Sequence, residues 1–340
     1  MKPIEPVIEV SNLSKVFRVA QRDKSSLLSS LSSLIHRQYA HIEALRDINL
    51  QIQKGEVRAL IGPNGAGKSS TIKVLTGILY PTTGSIRVLG VDPWTNRNAL
   101  ASELGVLFGQ KTQLWWDLPA LDTFYLHKQM YSIPNHSYQE NLDYFIDVLS
   151  LHQVVKKPVR QLSLGERMKC EFICALLHEP QLVFLDEPTI GLDIFSKEAI
   201  RAFVKKVNRE KGTTFIITTH DLSDIEDLCN NVTVINHGGI VFNDSIESLG
   251  TYFSSRKIID IKFQKPVQES ELSSYNVMSF SGLSASIEVD LEHNPLQSEL
   301  QRLLGIGLIQ DININNPSIE SVIKDIYSKP RTGEDLVLSK

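Results

Sequence analysis

The segment that most restricts what this chain can become is "VRALIGPNGAGKSS", residues 57–70. A short apolar run stops at a glycine turn, and a helix-like stretch follows directly. Glycine, four residues, glycine, lysine and serine are the spacing at which consecutive backbone N–H groups close around phosphate oxygens. The positive end of the following helix adds to that field. Gly62, Pro63, Asn64, Gly65, Ala66, Gly67, Lys68, Ser69 and Ser70 are therefore the candidate binding loop. Lys68 is expected to reach the outer phosphates, and the Ser69 hydroxyl to ligate Mg²⁺. A chance match would not also carry a strand before and a helix after, so nucleoside triphosphate binding is the expectation.

The surrounding pattern agrees with a phosphate-loop fold. "QLVFLDEP", "TTFIITTHD" and "VTVINHGGIVF" read as short apolar strands, with helices at "SKEAIRAFVKKVNREKG" and "LSDIEDLCN" between them. Alternation of that kind predicts an α/β fold with a mostly parallel sheet and helices on its faces. "VIEVSNLSKVFRV" reads as an edge strand with its turn, and "IEALRDINLQIQKGEVRALIG" as two strands joined at Lys54-Gly55. A helix is expected from Thr71 to Leu79 and "SIRVLG" as a strand after it. A helical subdomain is expected at about 112–165. An inserted helix is expected at about 22–41, where Leu27, Leu28, Leu31, Leu34 and Ile35 share one face. That face packs either on its own domain or against a membrane or partner. Beyond residue 245 the pattern changes to "KIIDIKFQ", "SASIEVDL" and "GLIQDINI", with helices at "NPLQSELQRLL" and "SIESVIKDIYSK". The expected division is a nucleotide-binding domain over 1–245 and a small α+β accessory domain over 246–340.

Composition excludes several function classes. The 340 residues are 42% apolar and 22% charged, ordinary for a globular protein of about two domains. A net charge of −4 provides no basic field, so no nucleic acid partner is expected. Three cysteines make no disulfide framework, and Cys170 and Cys174, one helical turn apart, read as small buried residues rather than a metal pair. The opening "MKPIEPVIEV" has no secretion signal, and no run approaches the roughly 18 apolar residues of a bilayer span.

Further candidates lie at strand ends. "LVFLDEP" delivers Asp186 to the edge where such sheets bind ligands, placed to hold the metal. Glu187 follows and can polarise an attacking water. His220 ends "TTFIITT" and could donate to a γ-phosphate. Gln110 follows "LGVLFG" and could sense metal and water. "LSLGE", residues 162–166, joins the Ser163 hydroxyl, Gly165 and a helix beginning near Glu166. It reads either as a second phosphate-binding end or as an ordinary serine cap with Glu166 in the first turn. One nucleotide does not need two such ends, whereas two chains arranged head to tail do.

In this order, Gly62–Ser69, Gln110, Leu162–Glu166, Leu182–Glu187 and His220 resemble the nucleotide-binding subunit of ATP-binding cassette (ABC) transporters, over about Val7 to Ile246. The resemblance implies a phosphate-loop core with an antiparallel β subdomain and a helical subdomain, and ATP and Mg²⁺ as ligands. It implies catalytic roles for Lys68, Gln110, Glu187 and His220, and metal contacts from Ser69, Gln110 and Asp186. Phe17 resembles the aromatic that stacks on adenine. Ser163, Gly165 and Glu166 resemble the signature that closes on a partner's ATP. Gly191–Asp193 resembles the loop crossing the dimer interface. Leu164 and Glu166 depart from the commoner LSGGQ form.

"FGQKTQLWWDLP" and the long insertion look like a bacterial exporter group that includes viologen, antibiotic and polysaccharide exporters. The implied partners are a second copy of the chain and a polytopic permease on a separate chain. The implied place is the cytoplasmic face of the plasma (inner) membrane. Motion would pass to the permease near Trp115, Trp116 and Asp117, although large aromatics are more often core. The alternative is a non-transport ABC ATPase acting on a soluble nucleoprotein partner, but the sustained heptads of the chromosome-organising relatives are missing.

Overall fold

The computed structural model describes residues 6–20, 39–109, 111–219, 221–251, 256–291, 295–315 and 317. The chain divides into two compact units, the first running to Asn243 and the second beginning at Asp244.

The first unit is built on strands β1 (Pro6–Ala20), β2 (Tyr39–Gln53), β3 (Val57–Ile61), β4 (Thr83–Val88), β5 (Leu104–Phe108), β6 (Leu182–Asp186), β7 (Thr214–Thr218), β8 (Asn231–Asn236) and β9 (Gly239–Ser245). Six of them form one sheet in the order β5-β6-β7-β3-β8-β9, parallel from β5 through β8. Every residue of β3 and β7 is buried, as are Leu182–Leu185 of β6. Covered on both faces, such strands are apolar throughout rather than alternating, which is why "LVFL" and "TFII" show no period of two. The sheet's carboxyl edge gathers the ends of β3, β5, β6 and β7. Open α/β sheets bind ligands at this edge.

A second sheet, ordered β2-β1-β4, is antiparallel. β1 lies at its centre, not at an edge as its modest alternation suggests. Its register breaks after Val10 and again near Lys15 blur the period, because each irregularity flips the following side chains to the other face. The pairing reaches the far ends of both long strands, Val19 opposite Ala40 and Ala20 opposite Tyr39. Residues 39–41, expected in the inserted helix, are therefore strand. The rest of that insertion, residues 21–38, lies outside the described residues.

Helices at Ala120–Met130 and Asn135–Leu149 and a 3-10 turn at Val159–Gln161 fill the expected helical region. They are tied inward by buried aromatics. Phe203, on the helix Ile194–Lys211, meets Phe145 and Phe172 edge to face, at 5.7 and 5.9 Å between centroids. Each such pair adds about 0.5–1.5 kcal/mol beyond its buried area. Trp115 and Trp116, by contrast, are half exposed and not core. Cys170 and Cys174 are buried and unpaired, and among the described residues no group of three or more His, Cys, Asp and Glu side chains is placed to hold a metal ion.

The second unit is a four-stranded antiparallel sheet of β10 (Arg256–Phe263), β11 (Asn276–Phe280), β12 (Ser284–Asp290) and β13 (Ile309–Asn315), ordered β11-β12-β10-β13. Ile259, Ile261 and Phe263 alternate with polar or half-buried neighbours and pack with Ile287, Val289 and Leu303 of the helix Leu296–Ile306. β11 was not evident from "NVMSF", whose serine and asparagine weaken the strand pattern. The helix expected at "SIESVIKDIYSK" lies outside the described residues.

Candidate functional site

The phosphate loop takes its shape from its glycines. Gly65 and Gly67 have φ of 82° and 115°, in the left-handed region that a side chain disfavours. Gly67 caps the helix Lys68–Leu75, so the helix begins three residues earlier than the expected Thr71. It also stops earlier than Leu79, because Gly77 turns left-handed at φ 70°. Gly62 is required for space, since a Cβ there would lie 2.2 Å from the Ile235 carbonyl oxygen. Behind the loop, the Gly238 N–H donates to the Ala66 carbonyl at 2.9 Å, tying it to the β8–β9 turn.

Lys68 is almost fully buried and donates to the carbonyls of Gly62 at 2.6 Å and Pro63 at 3.2 Å. Burial lowers its pKa, and the charges of Glu187 and Asp186 work in the opposite direction. Both carboxylates are thus within electrostatic reach of the ammonium that the phosphates would meet.

Asp186 ends β6 beside the loop. The Ser69 hydroxyl donates to its Oδ2 at 3.2 Å, and the Thr218 hydroxyl donates to its Oδ1 at 2.5 Å. Register explains the second bond, because Asp186 and Thr218 are direct neighbours on β6 and β7. The chain then turns sharply: Glu187 has φ 53°, costly for a residue with a side chain. Its N–H donates to both the carbonyl and the hydroxyl of Thr218, at 3.0 Å each. From β5, the Gly109 N–H donates to the Asp186 carbonyl at 2.9 Å, and a Cβ on Gly109 would come within 2.4 Å of that oxygen. Hydroxyl and carboxylate oxygens gathered beside a phosphate loop are the donor set Mg²⁺ prefers.

A buried network beneath this edge was not anticipated. Asp224 is wholly buried in the helix Leu222–Leu228. It accepts from the hydroxyls of Thr189, in a very short bond, and Thr219, at 3.2 Å, and from Arg201 Nη1 at 3.2 Å. Thr189 lies two residues after Glu187, and Thr219 directly precedes His220. His220 and Gln110 themselves lie outside the described residues.

"LSLGE" forms the cap that was one of its two readings. Ser163 Oγ accepts from the Glu166 N–H at 3.1 Å, and Glu166 Oε2 accepts from the Ser163 N–H at 2.8 Å, a complete capping box. The helix accordingly runs Leu164–Leu176 rather than from Glu166. Capping uses one acceptor position of Ser163, which is itself exposed. Gly165 packs where a Cβ would meet Ser196 Oγ at 2.2 Å. Ser196 is held by Asp193, which caps the next helix by accepting from the Ser196 N–H and hydroxyl at 2.9 and 2.6 Å. Those hydrogen bonds lower the Asp193 pKa. Gly191 turns left-handed just before it. Phe17 is half-buried on β1, with Lys15 Nζ 5.2 Å above its ring.

Thr218, Gly109, Asp224 and Thr189 were not singled out in the sequence. Thr218 had a faint signal as a hydroxyl at the end of an apolar strand, and the Asp224 carboxylate on its helix had none.

The family described as ABC transporter matches residues 45–190. The ABC transporter ATP-binding protein NatA of Bacillus subtilis is 30% identical over 222 residues, 65% of this chain and 89% of that protein. The bacitracin transport ATP-binding protein BcrA of Enterococcus faecalis is 27% identical over 293 residues, 86% and 93% of the two chains. A solved dimeric ATP-binding cassette in a post-hydrolysis state with ADP and Pi matches with TM-score 0.58 at 22% identity, covering 70% of this chain and 98% of that one.

Proposed function

The chain belongs to the family of ABC transporter ATP-binding proteins, and from that premise we propose that it works as a head-to-tail homodimer on a separate membrane permease, hydrolysing ATP at the carboxyl edge of its parallel sheet. The activity is that of an ATPase powering a membrane transporter. The single observation that carries the site is the meeting of Ser69, Asp186 and Thr218 beside Lys68 and Glu187. Among the described residues no helix is long and apolar enough to cross a membrane. The membrane-spanning part is assigned to a permease on another chain, and this chain to the cytoplasmic face of the membrane, from its membership of the family.

The phosphates would lie on the N–H groups of Gly65–Ser70, with Lys68 leaving the loop carbonyls to meet them. Ser69 and Asp186 would hold Mg²⁺, which when bound neutralises charge on the phosphate oxygens. Glu187 is the candidate base that orients and polarises water. Its backbone is pinned twice by Thr218, so the carboxylate starts from a fixed point. His220 is assigned the γ-phosphate, Gln110 the metal and water, and Phe17 the adenine. Ser163, Gly165 and Glu166 would close on the nucleotide of the second copy, adding a helix N-terminus to its phosphates. BcrA is a bacitracin transport ATP-binding protein, which supports an antibiotic-like molecule as the class of cargo. Export of a small molecule, drug or glycan is the corresponding reading here. No observation favours the nucleoprotein alternative.

Glu187→Gln tests the assignment. ATP binding should persist while turnover falls at least about 100-fold, the lower end of what a general base contributes. Turnover at the wild-type rate would remove Glu187 from the role.

A further inference from the structure

The helix Leu164–Leu176 carries a carboxylate that its capping role does not use. Glu171, two turns beyond Ser163, is almost fully buried. Its side chain points to the segment that follows Gln110. Thr112 donates its hydroxyl to Glu171 Oε1 in a very short bond, and the Gln113 N–H reaches the two carboxylate oxygens at 3.2 and 3.1 Å. Thr112 Oγ1 in turn accepts from the Leu114 N–H at 3.1 Å. One turn earlier on the same helix, the Arg167 guanidinium lies 5.8 Å from the Trp116 ring. The helix thus grips residues 112–116 at two points.

The other side of that segment is tied to the sheet. Gln113 Nε2 donates to the Val106 carbonyl at 3.0 Å, and the Lys111 N–H to the Phe108 carbonyl at 2.9 Å, both on β5. A buried carboxylate with this many directed donors is costly to place unless it is satisfied, and burial does push its pKa up against those bonds. An apolar residue would fill the position without that cost. What the carboxylate adds is a stiff joint between the helix that begins at Ser163 and the segment that continues from Gln110.

We propose that Glu171 is a positioning residue that couples the two nucleotides of the dimer. This rests on the dimer proposed above, in which Ser163–Glu166 are assigned to the partner's ATP and Gln110 to the chain's own. In that arrangement one rigid helix meets one nucleotide at its N-terminus and, through Glu171, sets the loop that senses the other. Closure on the partner's ATP is then felt at the chain's own site. The consequence is cooperative turnover, because coupling between two sites is a shared free energy and not a contact with either ligand.

The test uses the full-length chain. ATP turnover against ATP concentration is measured for wild type, Glu171→Gln, Glu171→Ala and Thr112→Val, together with binding of a fluorescent ATP analogue and thermal melting. Thr112 is exposed, so its variant removes the hydroxyl donor without opening a cavity in the core, and the melting curve reads what the lost bond costs. Wild type should show a Hill coefficient above 1. Glu171→Ala and Thr112→Val should keep analogue affinity within about twofold, lose about tenfold in kcat, and bring the Hill coefficient to 1. Glu171→Gln keeps an acceptor for Gln113 and should fall between. A non-cooperative wild type, or folded variants with wild-type Hill coefficient and kcat, would overturn the inference. So would a loss of kcat with cooperativity intact, which marks a merely structural residue. Glu187→Gln run alongside separates the levels: continued turnover in that variant fails the site assignment itself, whereas its loss with cooperative Glu171 variants fails the coupling alone.

Discussion

Replacing Asp224 by alanine should be among the most damaging single changes on this chain, for reasons separate from the chemistry of ATP. The carboxylate is wholly buried and is shared by the Thr189 and Thr219 hydroxyls and Arg201. The Arg201 side chain is only 12% exposed. Alanine leaves two buried hydroxyls without that acceptor, and leaves the nearly buried guanidinium only the half-exposed Asp227 carboxylate, at 3.3 Å, and the Ser223 hydroxyl, at 2.9 Å. Breaking a buried ion pair from one side costs about 3–5 kcal/mol. Asparagine keeps the volume and one acceptor but loses the charge, so about half that loss is expected. The three tryptophans, Trp94, Trp115 and Trp116, all lie in the first unit, so their fluorescence in urea follows that unit alone. With a slope of about 3 kcal/mol per molar urea for a domain of this size, Asp224→Ala should lower the midpoint by about 1–2 M. Asp224→Asn should lower it by about half as much. A shift under about 0.3 M in the alanine variant would refute the view that this network is a buried, mutually dependent ion pair. Because Thr189 and Thr219 flank Glu187 and His220 in sequence, turnover should fall in both variants even where the protein remains folded.

Other perturbations have equally definite outcomes. Gly62→Ala places a Cβ 2.2 Å from the Ile235 carbonyl, so the loop must move; ATP-analogue titration should show at least tenfold weaker binding, and unchanged affinity would contradict the packing. Lys68→Ala should weaken nucleotide binding by about 100-fold, roughly one strong charge-assisted contact, while thermal melting without nucleotide is little changed. Burial pushes the His178 imidazole down from 6.5 to about 4, so between those values the unfolded chain takes up a proton that the folded chain resists. Its contribution to stability is whole above about pH 6.5 and is lost as pH falls toward 4, about 2 kcal/mol of it by pH 5. Urea midpoints at pH 7 and pH 5 should therefore differ less in His178→Gln than in wild type, and an equal difference would exclude His178 as a source of acid sensitivity.

The site divides cleanly into what a sequence can and cannot disclose. Gly62–Ser70 and Asp186–Glu187 are legible because each requirement is local: a glycine where the backbone must turn or come close, a carboxylate where an apolar strand stops. The parallel strands are legible for the same reason, since burial on both faces leaves an unbroken apolar run. β1 is legible as a strand, but its central place is not, because that place depends on partners far along the chain and its bulges erase its period. Asp224 and Glu171 are the hardest case. On helices at "LSDIEDL" and "KCEFICAL" they look like solvated charges. Only tertiary structure shows that the hydroxyls and N–H groups meant for them come from Thr189, Thr219, Thr112 and Gln113.

The pairing of Ala20 with Tyr39 sets how freely the stretch between them can change. The two strands remain hydrogen-bonded neighbours up to the point where the chain leaves and where it returns, so the ends are separated by only the width of a ladder, about 5 Å. A connection with abutting ends has almost no length requirement. Closing it costs only about 0.6 kcal/mol more for each doubling of its length. Residues 21–38 are therefore open to replacement by a short hairpin turn, or to exchange for a longer segment carrying a tag or a probe, with β1 and β2 held in register by the rest of the sheet. The junction of β1 and β2 is thus a place where new contacts can be added to the ATPase at little cost to its fold.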